Sequence, residues 1–292
     1  MKISRAYFLP IALLLFIFAS LIVAYVYFGF DFVKWNEKGR VIETEQKDDG
    51  KVPDSQSELP KPNPPEEPKK EEPPVVPAKP TNPNPPSTKN WWEYPTNIKN
   101  VSKSGDDLLV LVNKEYRLPS NYAPKDLVLA ETSGTRVKAK GSYYVRSVVI
   151  EDLKGLAAQA KKDGVDISVI SAYRSYSTQA STYQYWVNYN NGCVSCADKI
   201  SARPGHSQHQ LGTAIDFSSS EIGDRLGSEF DGTKASAWLL ANGWRYGFVI
   251  AYPKGYESVT GYSHESWHYR YIGKANAASM KSSGEILEVW LR

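Results

Sequence analysis

The chain has 292 residues, 41% of them hydrophobic and 23% charged, averages that fit an ordinary globular protein. Its net charge of +3 comes without any lysine–arginine block, which argues against a nucleic-acid partner, and two cysteines are too few for a disulfide scaffold. The averages hide a strong segregation along the chain.

Residues 6–30 form a run of 25 positions without a charged side chain. A bilayer core about 30 Å thick needs about 20 apolar helical residues, so this run is long enough to span it. Lys2 and Arg5 precede it, which favours a cytoplasmic N-terminus and an exported remainder. The run exceeds the apolar core of a cleaved signal peptide, about 7–15 residues. We read residues 1–30 as a cytoplasmic tip and transmembrane signal-anchor, placing the rest of the chain outside the cell membrane. Thirteen of the 19 prolines then fall between Pro53 and Pro86, mixed with Lys, Glu, Asn and Ser. Such a segment has little apolar surface to bury, so residues 31–90 are expected to be a disordered spacer, of which the roughly 35 proline-rich residues alone reach on the order of 100 Å. The remaining residues, 91–292, suffice for a single core.

Within that part, Leu108 to Asn113 is a short apolar run, read as a strand or a buried extended segment. Val149, Leu153, Leu156, Ala157 and Ala160 recur at helical spacing, with Gly164 as a stop. Val165 to Ile170 is β-branched and reads as a strand, and Thr178 to Tyr189 as a helix. Ala214 to Phe217, Phe248 to Tyr252 and Trp267 to Ile272 are predicted strands. Helices are predicted over Lys234 to Asn242, closed by Gly243, and over Lys274 to Lys281 before Gly284. Strands and helices do not alternate strictly, so the expected class is α+β rather than a doubly wound parallel sheet.

All four histidines lie in two windows, His206 to Asp216 and His264 to His268. Histidine clustered with carboxylates points to a metal site. One ligand set takes His264 and His268 as a helical zinc motif with Glu265 as base. It requires a helix, whereas the residues from Trp267 to Ile272 favour a strand, along which positions 264 and 268 lie about 13 Å apart. The other set joins His209 and Asp216, with the chain bending back at Gly212, to His268. Two histidines, one carboxylate and an open fourth position describe a catalytic zinc site. Glu265, three residues before a ligand, is then free to accept a proton from a water acidified by the metal. His206 and His264 are expected to be surface residues or hydrogen-bonding neighbours of the site rather than ligands. Cys193 and Cys196 have the spacing of half a zinc ribbon but no second pair. In an exported protein they are expected to form a local disulfide bracing the loop before Arg203.

Three segments, Ser171-Ala-Tyr-Arg-Ser-Tyr-Ser-Thr-Gln179, Ser207-x-His-x-x-Gly-x-Ala-x-Asp216 and Glu265-x-Trp-His-x-Arg-Tyr271, resemble the signatures of VanY-type D-alanyl-D-alanine carboxypeptidases. The stretch from Leu111 to Val128 is similar to the usual start of their domain. The resemblance implies zinc ligands His209, Asp216 and His268, with Glu265 as catalytic base. It implies that Arg174 stabilises an oxyanion or holds a substrate carboxylate, and it places Gln179 and Ser207 near substrate. The fold implied is a small antiparallel sheet flanked by helices. The implied activity is removal of a terminal D-alanine from a peptidoglycan stem peptide. Cleavage of an L,D bond, cleavage inside the stem, and a non-catalytic wall-binding module are the alternatives. The chain departs from the usual pattern at Gln208, where family members carry glutamate; no catalytic role is assigned to it, and it bears on substrate preference.

Overall fold

The structure, a computed structural model, describes residues 90–138 and 141–292. The expected signal-anchor and proline-rich spacer lie outside them. The strands run in chain order β1 (Lys99–Asn100), β2 (Tyr116–Arg117), β3 (Leu127–Leu129), β4 (Arg136–Val137) and β5 (Tyr144–Arg146). They continue as β6 (Ser168–Ser171), β7 (Ala214–Ser218), β8 (Phe248–Tyr252) and β9 (Glu265–Tyr271). The principal helices are α1 (Ile150–Lys162), α2 (Tyr176–Tyr189), α3 (Val194–Ile200) and α4 (Lys234–Asn242). Three more follow: α5 (Glu257–Thr260), α6 (Lys274–Ser283) and α7 (Leu287–Trp290).

Five strands make the central sheet, in the order β4-β6-β7-β9-β8. Its four longer strands are antiparallel, as expected. The edge pair β4–β6 is parallel, which makes the sheet mixed. Strand β4 was not anticipated, because two residues are too few to display alternation. The apolar run at Leu108 to Asn113 is buried without strand pairing: Val110 and Val112 are each 1% exposed and pack with Leu118 and Leu211.

Alternation along β7 decides what each face of the sheet carries. Ile215 and Phe217 point into the main core, against Leu153 and Leu156 of α1 and Leu239 of α4. Asp216, between them, must face the other way. A second cluster, with Val249, Ile272, Ala277 and Met280, packs α6 against the sheet. The α-helix ends at Asn242 with Gly243 as its C-cap, as expected, and with a φ of −52° at Gly243 the chain runs on as a 3-10 turn to Tyr246. The turn stops at Gly247, whose φ of +84° suits glycine.

Candidate metal centre and active site

Register alone brings two of the expected ligands together. Asp216 of β7 pairs with His268 of β9 across an antiparallel ladder, so the two side chains share a face. His209 reaches them from a 3-10 turn, Gln208–Leu211, whose N-cap is Ser207 and whose end is Gly212 at φ +67°. That turn makes the reversal expected at Gly212. The result is a buried triad: His209 Nε2 lies 3.2 Å from Asp216 Oδ2, and His268 Nδ1 lies 2.9 Å from Asp216 Oδ1. Ligand atoms of all three fall within 4.8 Å of one another.

Each imidazole meets an acceptor on its far side. His209 Nδ1 lies 2.6 Å from the Ala172 carbonyl, which can only accept, so that nitrogen carries a proton. His268 Nε2 lies 3.2 Å from Gln208 Oε1, an acceptor that favours a proton on Nε2 and so frees Nδ1 for a metal. Burial lowers the His209 pKa to about 4, so the ring is neutral at neutral pH. Its Nε2 therefore turns a lone pair toward a carboxylate. Asp216 stays ionised: burial works against its charge, but the two imidazoles hold its pKa well below the usual carboxylate range. When His209 Nε2 and His268 Nδ1 carry no proton, their lone pairs and the carboxylate face one another in a dry site, an arrangement that a cation among them satisfies. A tetrahedral zinc ion with ligands at about 2.0–2.2 Å has ligand–ligand edges of about 3.4 Å. The observed 2.9 and 3.2 Å are close to that, so the residues fit the metal.

Glu265 opens β9 three residues before His268, a spacing that on a regular strand turns side chains to opposite faces. The β8–β9 ladder is irregular here. Ile250 pairs with Tyr269 but Tyr252 pairs with Glu265, so β9 carries two residues more than β8 over the same stretch. This surplus re-aims Glu265, and its Oε2 lies 3.7 Å from His268 Nδ1. Burial, reinforced by the charge of Asp216 and opposed by Arg174, raises the Glu265 pKa well above the usual value. A carboxyl held upward in this way suits proton transfer near neutral pH.

Arg174 follows β6, and its backbone N–H donates to the His209 carbonyl. Its Nη1 donates to Gln179 Oε1 at 2.8 Å and its Nη2 to Ser171 Oγ at 3.2 Å. Gln179, 1% exposed, also donates from Nε2 to the Ala202 carbonyl at 2.6 Å. Both ends of its amide are held by protein, so its influence on substrate passes through Arg174. The Ser207 hydroxyl oxygen accepts from the His209 N–H, leaving its own proton for a ligand. These residues line a cavity of about 590 Å³, together with Tyr252, Tyr262 and Trp267.

His206 is not at the surface. It is 3% exposed, donates from Nδ1 to the Asn113 carbonyl at 2.7 Å, and meets Tyr94 edge to face. His264 is partly buried at the cavity wall, with Nδ1 2.8 Å from the Tyr252 carbonyl and Nε2 3.4 Å from Asp231. It lies outside the triad. Gln208 holds His268, a role that sequence reasoning missed; its position beside His209 was the only available signal. Tyr252, whose ring centroid lies 4.9 Å from that of His268, gave no signal either. Cys193 and Cys196 are joined by a disulfide at the start of α3.

The sequence pattern of the family described as VanY, D-alanyl-D-alanine carboxypeptidase, matches residues 142–274. A Bacillus subtilis relative named as the putative carboxypeptidase YodJ is 35% identical over 201 residues, covering 67% of this chain and 73% of its own length. Among solved structures, the LdcB LD-carboxypeptidase superposes with a TM-score of 0.61 at 33% identity, over 70% of this chain and 96% of that one. A mutant vancomycin-resistance D,D-pentapeptidase VanY in complex with Zn(II) superposes with a TM-score of 0.52 at 30% identity, over 65% and 100%. On this evidence the chain belongs to the VanY family of D-alanyl-D-alanine carboxypeptidases and is a peptide hydrolase.

Proposed function

We propose that the protein is a zinc-dependent carboxypeptidase that removes a terminal D-alanine from peptidoglycan stem peptides. The observation that carries this reading is the triad of His209, Asp216 and His268, which calls for a cation beside a re-aimed Glu265. The three side chains would hold zinc, which when bound supplies Lewis acidity to polarise the scissile carbonyl and acidify a water. Glu265 takes a proton as water oxygen adds to the carbonyl carbon. It returns that proton to the amide nitrogen as the C–N bond breaks, releasing alanine as the amine. Arg174, held by Gln179 and Ser171, faces the negative charge that develops on the carbonyl oxygen or the one resident on the terminal carboxylate. The Ser207 hydroxyl donates to the same end of the substrate.

A second reading, hydrolysis of the L,D bond of a stem ending in a single D-alanine, is favoured by the higher TM-score to LdcB, 0.61 against 0.52. A signal-anchor within residues 1–30 and a spacer over 31–90 would place either activity on the wall side of the membrane. Cell fractionation tests that placement. To test the activity, the full chain in mild detergent with zinc is given muropeptides ending in D-Ala-D-Ala or in one D-Ala. Mass spectrometry follows alanine loss, with Glu265→Ala as control. Loss from the pentapeptide supports the first reading, and loss from the tetrapeptide alone supports the second. No loss from either overturns both.

A further inference from the structure

Helix α2 begins near the catalytic centre, with Gln179 holding Arg174, and runs outward to Tyr189. At 100° per residue, Gln179, Thr182, Tyr185, Trp186 and Tyr189 lie on one stripe. At about 1.5 Å per residue, Trp186 and Tyr189 stand roughly 10 and 15 Å along the axis from Gln179. Thr182, Tyr185 and Trp186 line the catalytic cavity, and Tyr189 extends that wall. The three rings touch. Tyr185 and Tyr189 stack at 6.0 Å and 26°, and Trp186 meets both edge to face at 5.3 and 5.5 Å.

These rings are not core. Tyr185 is 58% exposed and Tyr189 67%, and Trp186 is partly exposed. Exposed apolar side chains gather at this mouth: Ile200 and Leu226 also line it. Contiguous exposed aromatics cost solubility and mark a binding surface. The surroundings say what kind of ligand would suit them. An exposed helix face is ordinarily charged, yet residues 175–197 carry no charged side chain at all. Asn, Gln, Ser and Thr supply the polar groups instead. Nothing there complements the carboxylates or ammonium of a stem peptide, whereas flat rings among neutral amides and hydroxyls suit a neutral pyranose. The C–H face of such a sugar packs on an aromatic ring while its hydroxyl and acetamido groups hydrogen-bond at the rim.

We propose that Tyr185, Trp186 and Tyr189 form a saccharide subsite that seats the N-acetylated sugar to which the stem peptide is attached. The proposal rests on the stem-peptide reading given above. Distance agrees with it: with the terminal bond at the triad, four extended residues span about 13 Å, which brings the sugar end of the stem level with Tyr189. The enzyme is then selective for stems still attached to glycan, and a peptide freed by an amidase is a poorer substrate.

The test compares kcat/KM of the full chain on one stem peptide with and without its disaccharide, in the wild type and in a Tyr185→Ala/Tyr189→Ala double variant. Both positions are exposed, so folding is preserved; circular dichroism and zinc content check this. The wild type should prefer the disaccharide form about tenfold, equivalent to about 1.4 kcal/mol, through KM rather than kcat. The double variant should lose that preference and keep its kcat/KM on the free peptide. Equal rates on both substrates in the wild type, or a preference that survives in the variant, overturn the subsite. So does an equal loss on both substrates, which would assign the rings to the peptide. If neither substrate is cleaved, the hydrolytic reading fails instead. The subsite is then judged by calorimetry with a tetramer of N-acetylglucosamine, where binding that depends on Tyr185 and Tyr189 upholds it and no binding refutes it.

Discussion

Replacing Gln208 by leucine probes how the site makes a ligand of His268. In the wild type, Gln208 Oε1 lies 3.2 Å from His268 Nε2, where it stabilises a proton on that nitrogen and so helps free the Nδ1 lone pair for a metal beside Asp216. Leucine cannot accept. The Nε2–H would then be buried without a partner, in a site where His268 is 3% exposed. An unsatisfied buried donor costs about 1–3 kcal/mol. The ring escapes that cost by moving its proton to Nδ1, where Asp216 Oδ1 at 2.9 Å is a ready acceptor. In that tautomer the nitrogen needed for zinc is occupied by a proton, and metal binding must first undo a charge-assisted hydrogen bond worth about 1.5–3 kcal/mol. Zinc affinity should therefore fall about 10–100-fold, in the range typical for losing an outer partner of a metal-bound histidine. The assay is competition for zinc against a chromophoric chelator at pH 7.5, with circular dichroism to confirm folding. Affinity within twofold of wild type would show that Gln208 does not set the tautomer.

Three further substitutions have outcomes fixed by the geometry. Gln179→Leu removes the acceptor that holds Arg174 Nη1, so kcat/KM should fall about 10–100-fold while zinc content is unchanged. An unaltered rate would release Gln179 from that positioning role. Burial pushes the Glu288 pKa up from 4.5 to about 7, against its hydrogen bonds from Asn113 and Arg292. A raised folded pKa means stability falls as pH climbs from 4.5 to 7 and stays low above. Glu288→Gln keeps an acceptor for both donors, so it should stabilise by up to about 3 kcal/mol at pH 8 and by almost nothing at pH 4. Urea midpoints at the two pH values read this out, and an equal effect at both contradicts it. Gly212→Ala must hold a φ of +67° with its new Cβ about 3.0 Å from Arg146 Cγ and Leu127 Cδ2. The backbone alone should cost about 1–2 kcal/mol, seen as a lower melting temperature.

The strands β7 to β9 and the helices α1, α2, α4 and α6 were legible because their apolar periodicity extends over several residues. The convergence of His209, Asp216 and His268 was legible for another reason. Four histidines in 292 residues, confined to two windows, leave few ways to build a metal site, and the strand character of Trp267 to Ile272 removes the helical one. What escaped depends on distant partners. His206 is buried because Asn113, 93 residues away, offers its carbonyl. β4 exists because β6 accepts it as an edge. Gly243 does close its α-helix, but nothing in the local pattern announced the 3-10 turn that carries the chain on to Gly247. Gln208 reads as a bland amide until the fold carries β9 over it.

The two surplus residues of β9 make the spacing between Glu265 and His268 a property of the ladder rather than of the motif. On an unbroken strand, a carboxylate at any odd separation from the histidine would point away from the metal, whatever its identity. The glutamate–histidine pair is therefore not portable. Grafted onto a straight strand of a designed scaffold it would present a metal ligand on one face and an idle acid on the other. Recovering the site would require copying the mismatch in strand length along with the residues.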